Sequence, residues 1–308
     1  MKRTLSLLLA ASLVAGLGLG CRKPTTTQYV TATKLLATAD RLMKEGKFQE
    51  ARQSLHTIEE QLPGSPEFPR AKLMLGDSYF FESSPSYPEA AVEYQSFLNY
   101  FPRSPMRDYA LYHLALCHYS AIESAERDQA ETRKAITAFQ DLLAESPGSP
   151  YAVEAKSKIT QCWRRLAEHE VEVGIFYDNT YWYYGAVKRL EYALRTYPDY
   201  VDRERAYYYL GEALRQRKLI PMEIEQFLNA FLAKKGKEHY EDLTPAEKKE
   251  YAEALKAFGK ERIDGFRAEA KDYYQKLVES YPHSEWAARA ADRLISMGTT
   301  GVKESLDS

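Results

Sequence analysis

The segment Ala90-Ala91-Val92-Glu93-Tyr94-Gln95-Ser96-Phe97-Leu98-Asn99-Tyr100-Phe101-Pro102 decides the fold. Counted from Ala90, apolar side chains stand at offsets four (Tyr94), seven (Phe97) and eight (Leu98), and Pro102 stands at twelve. Offsets of 0, 4, 7 and 8 share one face of an α-helix, and a proline, lacking an N–H, stops that helix. The spacing occurs four more times. Ala51, Leu55, Ile58 and Pro63 repeat it with Glu59 in the last apolar slot, and Ala135, Phe139, Leu142, Leu143 and Pro147 repeat it in full. Ala186, Leu190, Ala193, Leu194 and Pro198 follow, then Ala270, Tyr274, Leu277, Val278 and Pro282.

Each proline leads into another helix. Ser65-Pro66, Ser104-Pro105 and Ser149-Pro150 predict Ser at the N-cap and Pro at the first helical position. Thirteen residues past four of the prolines stand Gly76, Ala115, Thr160 and Gly211, each after a large apolar residue (Leu75, Leu114, Ile159, Leu210). A large residue followed by a small one lets two helices of a hairpin cross closely. Together these features are the signature of the tetratricopeptide repeat. The expected fold is all-α: a tetratricopeptide-repeat α-solenoid of about five helical hairpins, a capping helix over residues 286–297, and a flexible tail over 299–308.

The Pro-to-Pro spacings are 39, 45, 51 and 84 residues, against about 34 in a standard repeat. The largest excess is an insert over residues 218–262 with balanced charge, nine basic and nine acidic residues. It holds two amphipathic stretches, one with Ile224, Phe227, Leu228 and Phe231, the other with Tyr251, Leu255 and Phe258. Thr244-Pro245-Ala246-Glu247 predicts a capping box opening the second. The insert reads as a protruding hairpin or a degenerate extra repeat, with the hairpin favoured.

The N-terminus bears on compartment. Lys2 and Arg3 precede an apolar or small run over residues 5–19, too short for a membrane span, which reads as a secretory signal over residues 1–20. Leu17-Gly18-Leu19-Gly20-Cys21 resembles the end of a bacterial lipoprotein signal, which makes Cys21 the lipidated residue and residues 21–30 a polar tether. Arg22 stands where an Asp would resemble an inner-membrane retention signal, which favours the outer membrane. The chain of 308 residues has net charge −2, or −4 without residues 1–20, so nothing in its charge marks a nucleic-acid binder.

Chemical motifs are sparse. Cys117 and Cys162 sit fifteen residues past their prolines, in a slot that Ser78 and Ala213 share, so they read as small packing residues about 10 Å apart, too far for a disulfide. His113 and Cys117 are four apart, but no second pair completes a zinc site. Glu168-His169-Glu170 opens like a zinc-protease motif and lacks its second His. No metal or cofactor is implied beyond the lipid, and the chain reads as no enzyme. First helices line the concave groove of such a repeat stack, which takes an extended peptide or a partner's edge. Tyr79, Tyr109, Tyr112, His118, Tyr119, Trp163, Tyr207 and Tyr208 fall on or near them, either as groove residues or as packing. The run over residues 177–184 is a local plug or a docking edge.

Two longer stretches resemble the BamD family of outer-membrane assembly lipoproteins. The first is Tyr100-Phe101-Pro102-Arg103-Ser104-Pro105 with Asp108-Tyr109-Ala110-Leu111-Tyr112. The second is Ser149-Pro150-Tyr151-Ala152, then Leu166-Ala167-Glu168-His169-Glu170, Tyr177, Gly185-Ala186-Val187 and Tyr197-Pro198. The resemblance covers about residues 15–216 and leaves out the insert. It implies a periplasmic scaffold of the BAM complex, lipid-anchored at the outer membrane, that assists insertion of β-barrel proteins. Repeats 1–3 (31–149) would receive unfolded outer-membrane proteins through Tyr79, Tyr109, Tyr112, His118 and Tyr119. Repeats 4–5 with the cap (150–298) would hold the last POTRA domain of BamA, through Arg203, Arg205 and Tyr207, beside other BAM lipoproteins. The alternative is a repeat lipoprotein of another envelope machine, for cell division, polysaccharide export or secretin assembly.

Overall fold

The computed structural model describes residues 26–298. Signal, Cys21 and tail lie outside them. The described residues form twelve α-helices and one short 3₁₀ turn, with no strand, so the protein is an all-α tetratricopeptide-repeat solenoid. The chain divides into two compact units, up to Ser86 and from Tyr87 onward.

The first unit holds α1 (Thr26–Lys44), α2 (Phe48–Gln61) and α3 (Phe68–Phe80). α1 begins inside the stretch expected as tether. Gly46 adopts φ +75°, a left-handed turn open to glycine, and sends the chain back into α2. Ala51, Leu55 and Ile58 are fully buried, as their slots require. Glu59, the odd residue in the apolar slot, accepts from the buried Lys72 ammonium on α3 at 2.5 Å. Burial alone would push its carboxyl up; hydrogen bonds from Lys72 and His56 overcome that and hold it below the usual carboxylate range.

The second unit holds α4 (Tyr87–Tyr100), α5 (Arg107–Ser120), α6 (Ala130–Glu145), α7 (Ala152–Asn179), α8 (Tyr183–Thr196), α9 (Arg203–Gln216), α10 (Pro221–Lys235), α11 (Pro245–Ser280) and α12 (Glu285–Ser296). From α4 to α9 each helix packs on the next in the chain. α9 then skips α10 and pairs with α11, and α12 closes on α11. Slots 0, 4 and 7 are buried in every repeat: Tyr94, Phe97, Phe139, Leu142, Leu190, Tyr274 and Leu277 are solvent-free. Slot 8 is looser, with Leu143 and Leu194 half-buried. α2, α4, α6, α8 and α11 all end two residues before their proline.

Two expectations are corrected. Ser65, Ser104 and Ser149 are not N-caps; α3, α5 and α7 start three residues later, capped at Glu67, Met106 and Tyr151. Each Ser-Pro opens a preliminary turn in which the Ser carbonyl accepts the N–H of Phe68, Arg107 or Ala152. In the fourth repeat the close crossing is not at Thr160, which is half-buried, but at Gly174, where a Cβ would meet Leu190 at 2.7 Å. α7 is 28 residues long, so its crossing with α8 lies further along the helix than fixed counting from Pro147 gives.

The insert is a helical hairpin whose second arm is not separate. α10 ends at Gly236 in the left-handed region, and α11 runs unbroken for 36 residues from the insert into the fifth repeat. Thr244 forms the expected capping box with Glu247. Phe231, Leu232, Leu243 and Tyr251 make a small core of the hairpin's own. Its root is tied by Glu223, which accepts from Arg217 at 2.7 Å and Arg262 at 3.3 Å.

Candidate docking surfaces

α5 carries four of the expected groove residues. Tyr109, Tyr112 and Tyr119, at helical spacings of three and seven, face the start of α7. Tyr112 stacks on Tyr151 with ring centroids 4.3 Å apart. Burial pushes its phenol pKa well up, and the neighbouring Glu154 carboxylate adds to the shift. Tyr119 donates to Gln161 Oε1 at 2.5 Å and lies under the Lys158 ammonium at 4.1 Å. Tyr109 stacks on His113 at 4.0 Å. The structure brings these three tyrosines to one seam, largely by packing them on their neighbours.

His118 does not join them. It turns towards α6, 2.7 Å from Glu131, and lines an open groove of about 930 Å³ between α4, α5 and α6. Ala91, Val92 and Leu114 supply apolar wall, and Gln95, Asn99 and Lys134 supply polar groups. Sequence reading missed this groove, although apolar Ala91 and Val92 outside the inward slots are its signal. Cys117 is free at its base, its thiol pushed up to about 12 by burial, which leaves it unreactive. Cys162 is likewise free, buried and pushed up to about 11. Tyr79 belongs to the first unit, where the Arg52 guanidinium lies 4.4 Å from its ring. Trp163 packs near Tyr197 and Tyr200.

The residues expected to dock a partner divide the same way. Arg203 and Tyr207, one helical turn apart on α9, share a groove of about 730 Å³ with Glu191, Arg195, Tyr273 and Lys276. Arg203 is exposed and donates to the Pro198 carbonyl at 2.7 Å. Tyr207 is buried, with the Lys276 ammonium 5.1 Å from its ring. Arg205 points elsewhere, gripping both carboxylate oxygens of Glu172 on α7 at 2.5 and 3.2 Å. An offset of two residues turns a side chain about 200° round a helix, so Arg203 and Arg205 cannot serve one surface. The groove is cationic: three basic side chains face one acid. Arg195 and Lys276 lie on repeat helices outside the inward slots, a signal available in the sequence.

Behind this groove a buried carboxylate ties the last repeat together. Glu212 accepts from the Tyr274 hydroxyl at 2.5 Å, from Arg293 Nε at 2.8 Å and from Arg215 Nη2 at 2.9 Å. Burial alone would raise its pKa; the Arg215 and Tyr274 hydrogen bonds outweigh it, and the net shift is downward. Asp178, at the end of α7, has the opposite fate. Burial, then the Glu212 charge, pushes its carboxyl up to about 6, and its Oδ1 finds no hydrogen-bond partner. The residues resembling a zinc motif are engaged in the scaffold: Glu168 with Arg165, His169 with the Ala125 carbonyl and Glu170 with Arg189.

Residues 28–229 match the family model of YfiO, an outer membrane lipoprotein, and residues 267–284 match a tetratricopeptide-repeat model. The chain is similar to three proteins called outer membrane protein assembly factor BamD. It is 32% identical to that of Caulobacter vibrioides, over 56% of this chain and 57% of that protein. For Haemophilus influenzae the figures are 28%, 64% and 77%, and for Rickettsia prowazekii 30%, 68% and 84%. The match thus spans little more than half the length of the Caulobacter relative. A solved tetratricopeptide repeat protein from Parabacteroides merdae aligns over 90% of this chain and 98% of its own at 15% identity, but its TM-score of 0.33 lends nothing to the reading.

Proposed function

This chain belongs to the YfiO family of outer membrane lipoproteins, and from that premise we propose that it is a non-catalytic scaffold of the BAM complex, held to the periplasmic face of the outer membrane by a lipid on Cys21. The observation that carries this reading is the family match over residues 28–229 together with the shared assembly-factor name of its relatives. A scaffold needs stiff, individually addressable surfaces more than a reaction centre, and the two grooves supply them. The Arg203–Tyr207 groove, with its cationic rim, suits an acidic patch on a folded partner such as a POTRA domain of BamA. The tyrosine seam on α5 and the apolar cleft behind His118 suit the extended terminal strand of an unfolded outer-membrane protein. The division at residue 149 between a substrate-receiving half and a partner-docking half follows the same assignment.

Depleting the protein in its own cells and quantifying outer-membrane β-barrel proteins tests the role. A fall in folded barrels with other envelope lipoproteins unchanged supports it. Undiminished barrels in fully depleted cells would refute it.

A further inference from the structure

The turn between α7 and α8 carries a run of aromatics that the assembly role leaves unused. Read from sequence, residues 177–184 are a plug or a docking edge; in the structure part of the run is packed and part is exposed. Tyr177, Tyr183 and Tyr184 are half-buried and form the plug half, and Trp182 packs one face of its ring there while the rest stays in water. Trp182 lies across Gly185, where a Cβ would stand 2.6 Å from the indole, and meets Tyr177 at 4.4 Å. Tyr183 donates to Gln216 at 3.0 Å, and the Arg217 guanidinium lies 5.0 Å from the Tyr184 ring.

The other half faces water. Among the described residues eleven large hydrophobic side chains are exposed, and three fall between residues 176 and 182: Phe176 at 62%, Tyr181 at 79% and Trp182 at 52%. Single exposed apolar residues are ordinary, whereas a contiguous group marks a contact surface. Tyr181 has φ +64°, the one positive φ outside glycine among the described residues. A bulky side chain enters that region against steric resistance, which persists where the surroundings enforce it. Here they do: Tyr181 N donates to the Asp178 carbonyl at 3.0 Å and Trp182 N to the Tyr177 carbonyl at 2.8 Å. The backbone therefore presents Tyr181 outward beside a Trp whose ring is already clamped.

Two exposed lysines lie close to the run in the chain, Lys188, which also reaches Glu191 at 3.4 Å, and Lys218. The Lys188 ammonium lies 5.8 Å from the Tyr184 ring, and Lys218 follows Arg217, which covers the same ring. We propose that this turn is a second membrane contact, in which Phe176, Tyr181 and Trp182 enter the interfacial zone of a phospholipid bilayer while Lys188 and Lys218 face its headgroups. Trp and Tyr favour that zone because their rings are apolar and their N–H or O–H stays wet. Lysine stems let the ammonium reach anionic headgroups. In a family of outer membrane lipoproteins a bilayer is the surface within reach, and a lipid anchor gains from a second attachment. The contact is separate from barrel assembly, and either can fail alone.

The test uses the full mature chain with Cys21→Ser, so that no covalent lipid contributes, and vesicles of phosphatidylcholine with about one quarter phosphatidylglycerol. The chain is expected to float with the vesicles, and acyl-brominated lipid is expected to quench its tryptophan fluorescence. The double variant Phe176→Ser, Tyr181→Gly is expected to lower partitioning about tenfold without lowering Tm, since glycine takes the positive φ freely. A wild-type chain that fails to float, or partitioning unchanged in the double variant, overturns the proposal. So does capture of a protein partner through these side chains with no vesicle binding.

Discussion

The ring of Tyr274 lies so close over Gly211 that a methyl group on that glycine would stand 2.5 Å from it. Both positions are repeat slots, one the small crossing residue of α9 and the other the fourth-offset residue of α11. Gly211→Ala gains helix propensity worth about 1 kcal/mol but forces apart a solvent-free contact, an overpacking cost of about 1–3 kcal/mol. The net expectation is a loss of up to about 2 kcal/mol. Gly265, within α11, has open space where its Cβ would go, so Gly265→Ala should stabilise by up to about 1 kcal/mol. Urea denaturation of the two variants measures the contrast, and equal effects would remove the crossing from the account.

Asp178 should make the protein more stable once its charge is removed. Its folded pKa, about 6, lies above the unfolded value, so its contribution is full below pH ~4 and is lost as pH rises through about 6. At neutral pH the half-buried carboxylate is a burden, and Asp178→Asn is expected to raise stability by about 1 kcal/mol after discounting for solvent screening. Thermal melts across the range should show that gain shrinking below pH ~6 and vanishing near pH ~4. Glu212 has the opposite sign: its pKa is depressed, so its stabilisation is present above the ordinary glutamate range and lost as pH falls through the folded value.

Glu223 fastens the inserted hairpin. Removing it leaves the buried Arg217 guanidinium without its carboxylate, and breaking such a pair costs about 3–5 kcal/mol. Because the hairpin has a core of its own, Glu223→Ala is expected to speed amide exchange in α10 and the first half of α11 while α5 and α6 stay protected. Uniform loss of protection would show instead that the insert and the repeats melt as one.

Arg203 and Arg205 are expected to separate binding from stability. Arg203→Ala leaves the fold within about 0.5 kcal/mol and weakens capture of a POTRA-bearing partner about tenfold or more. Arg205→Ala breaks the two-pronged bond to Glu172, so it should cost about 1–2 kcal/mol of stability and leave partner capture largely intact. Melting curves and partner titration on both variants decide the matter; the reverse pattern would move docking to the α7 side.

Most of the fold was legible because helical periodicity and proline are local signals. Ala51, Ala90, Ala135, Ala186 and Ala270 are all fully buried, and each following proline sits two residues beyond its helix. Fixed counting fails where helix length changes: long α7 moves its crossing from Thr160 to Gly174, which only the position of Leu190 reveals. The Ser-Pro pairs mark the right turns but not the first helical residue, since a hydrogen-bonded turn precedes each helix. Groove residues were harder. Residue type places Tyr112 and His118 on one helix, but which face each presents depends on Tyr151 and Glu131 from other helices, a tertiary fact. Arg203 and Arg205 could have been told apart by helical angle alone.

The central claim is tested most directly by purifying the lipidated protein from its own membranes and identifying by mass spectrometry what accompanies it. A POTRA-bearing β-barrel protein in near-equal amount, lost on Arg203→Ala, is the expected result. A different envelope machine, recovered without that barrel, would contradict the assembly role and leave only the fold standing.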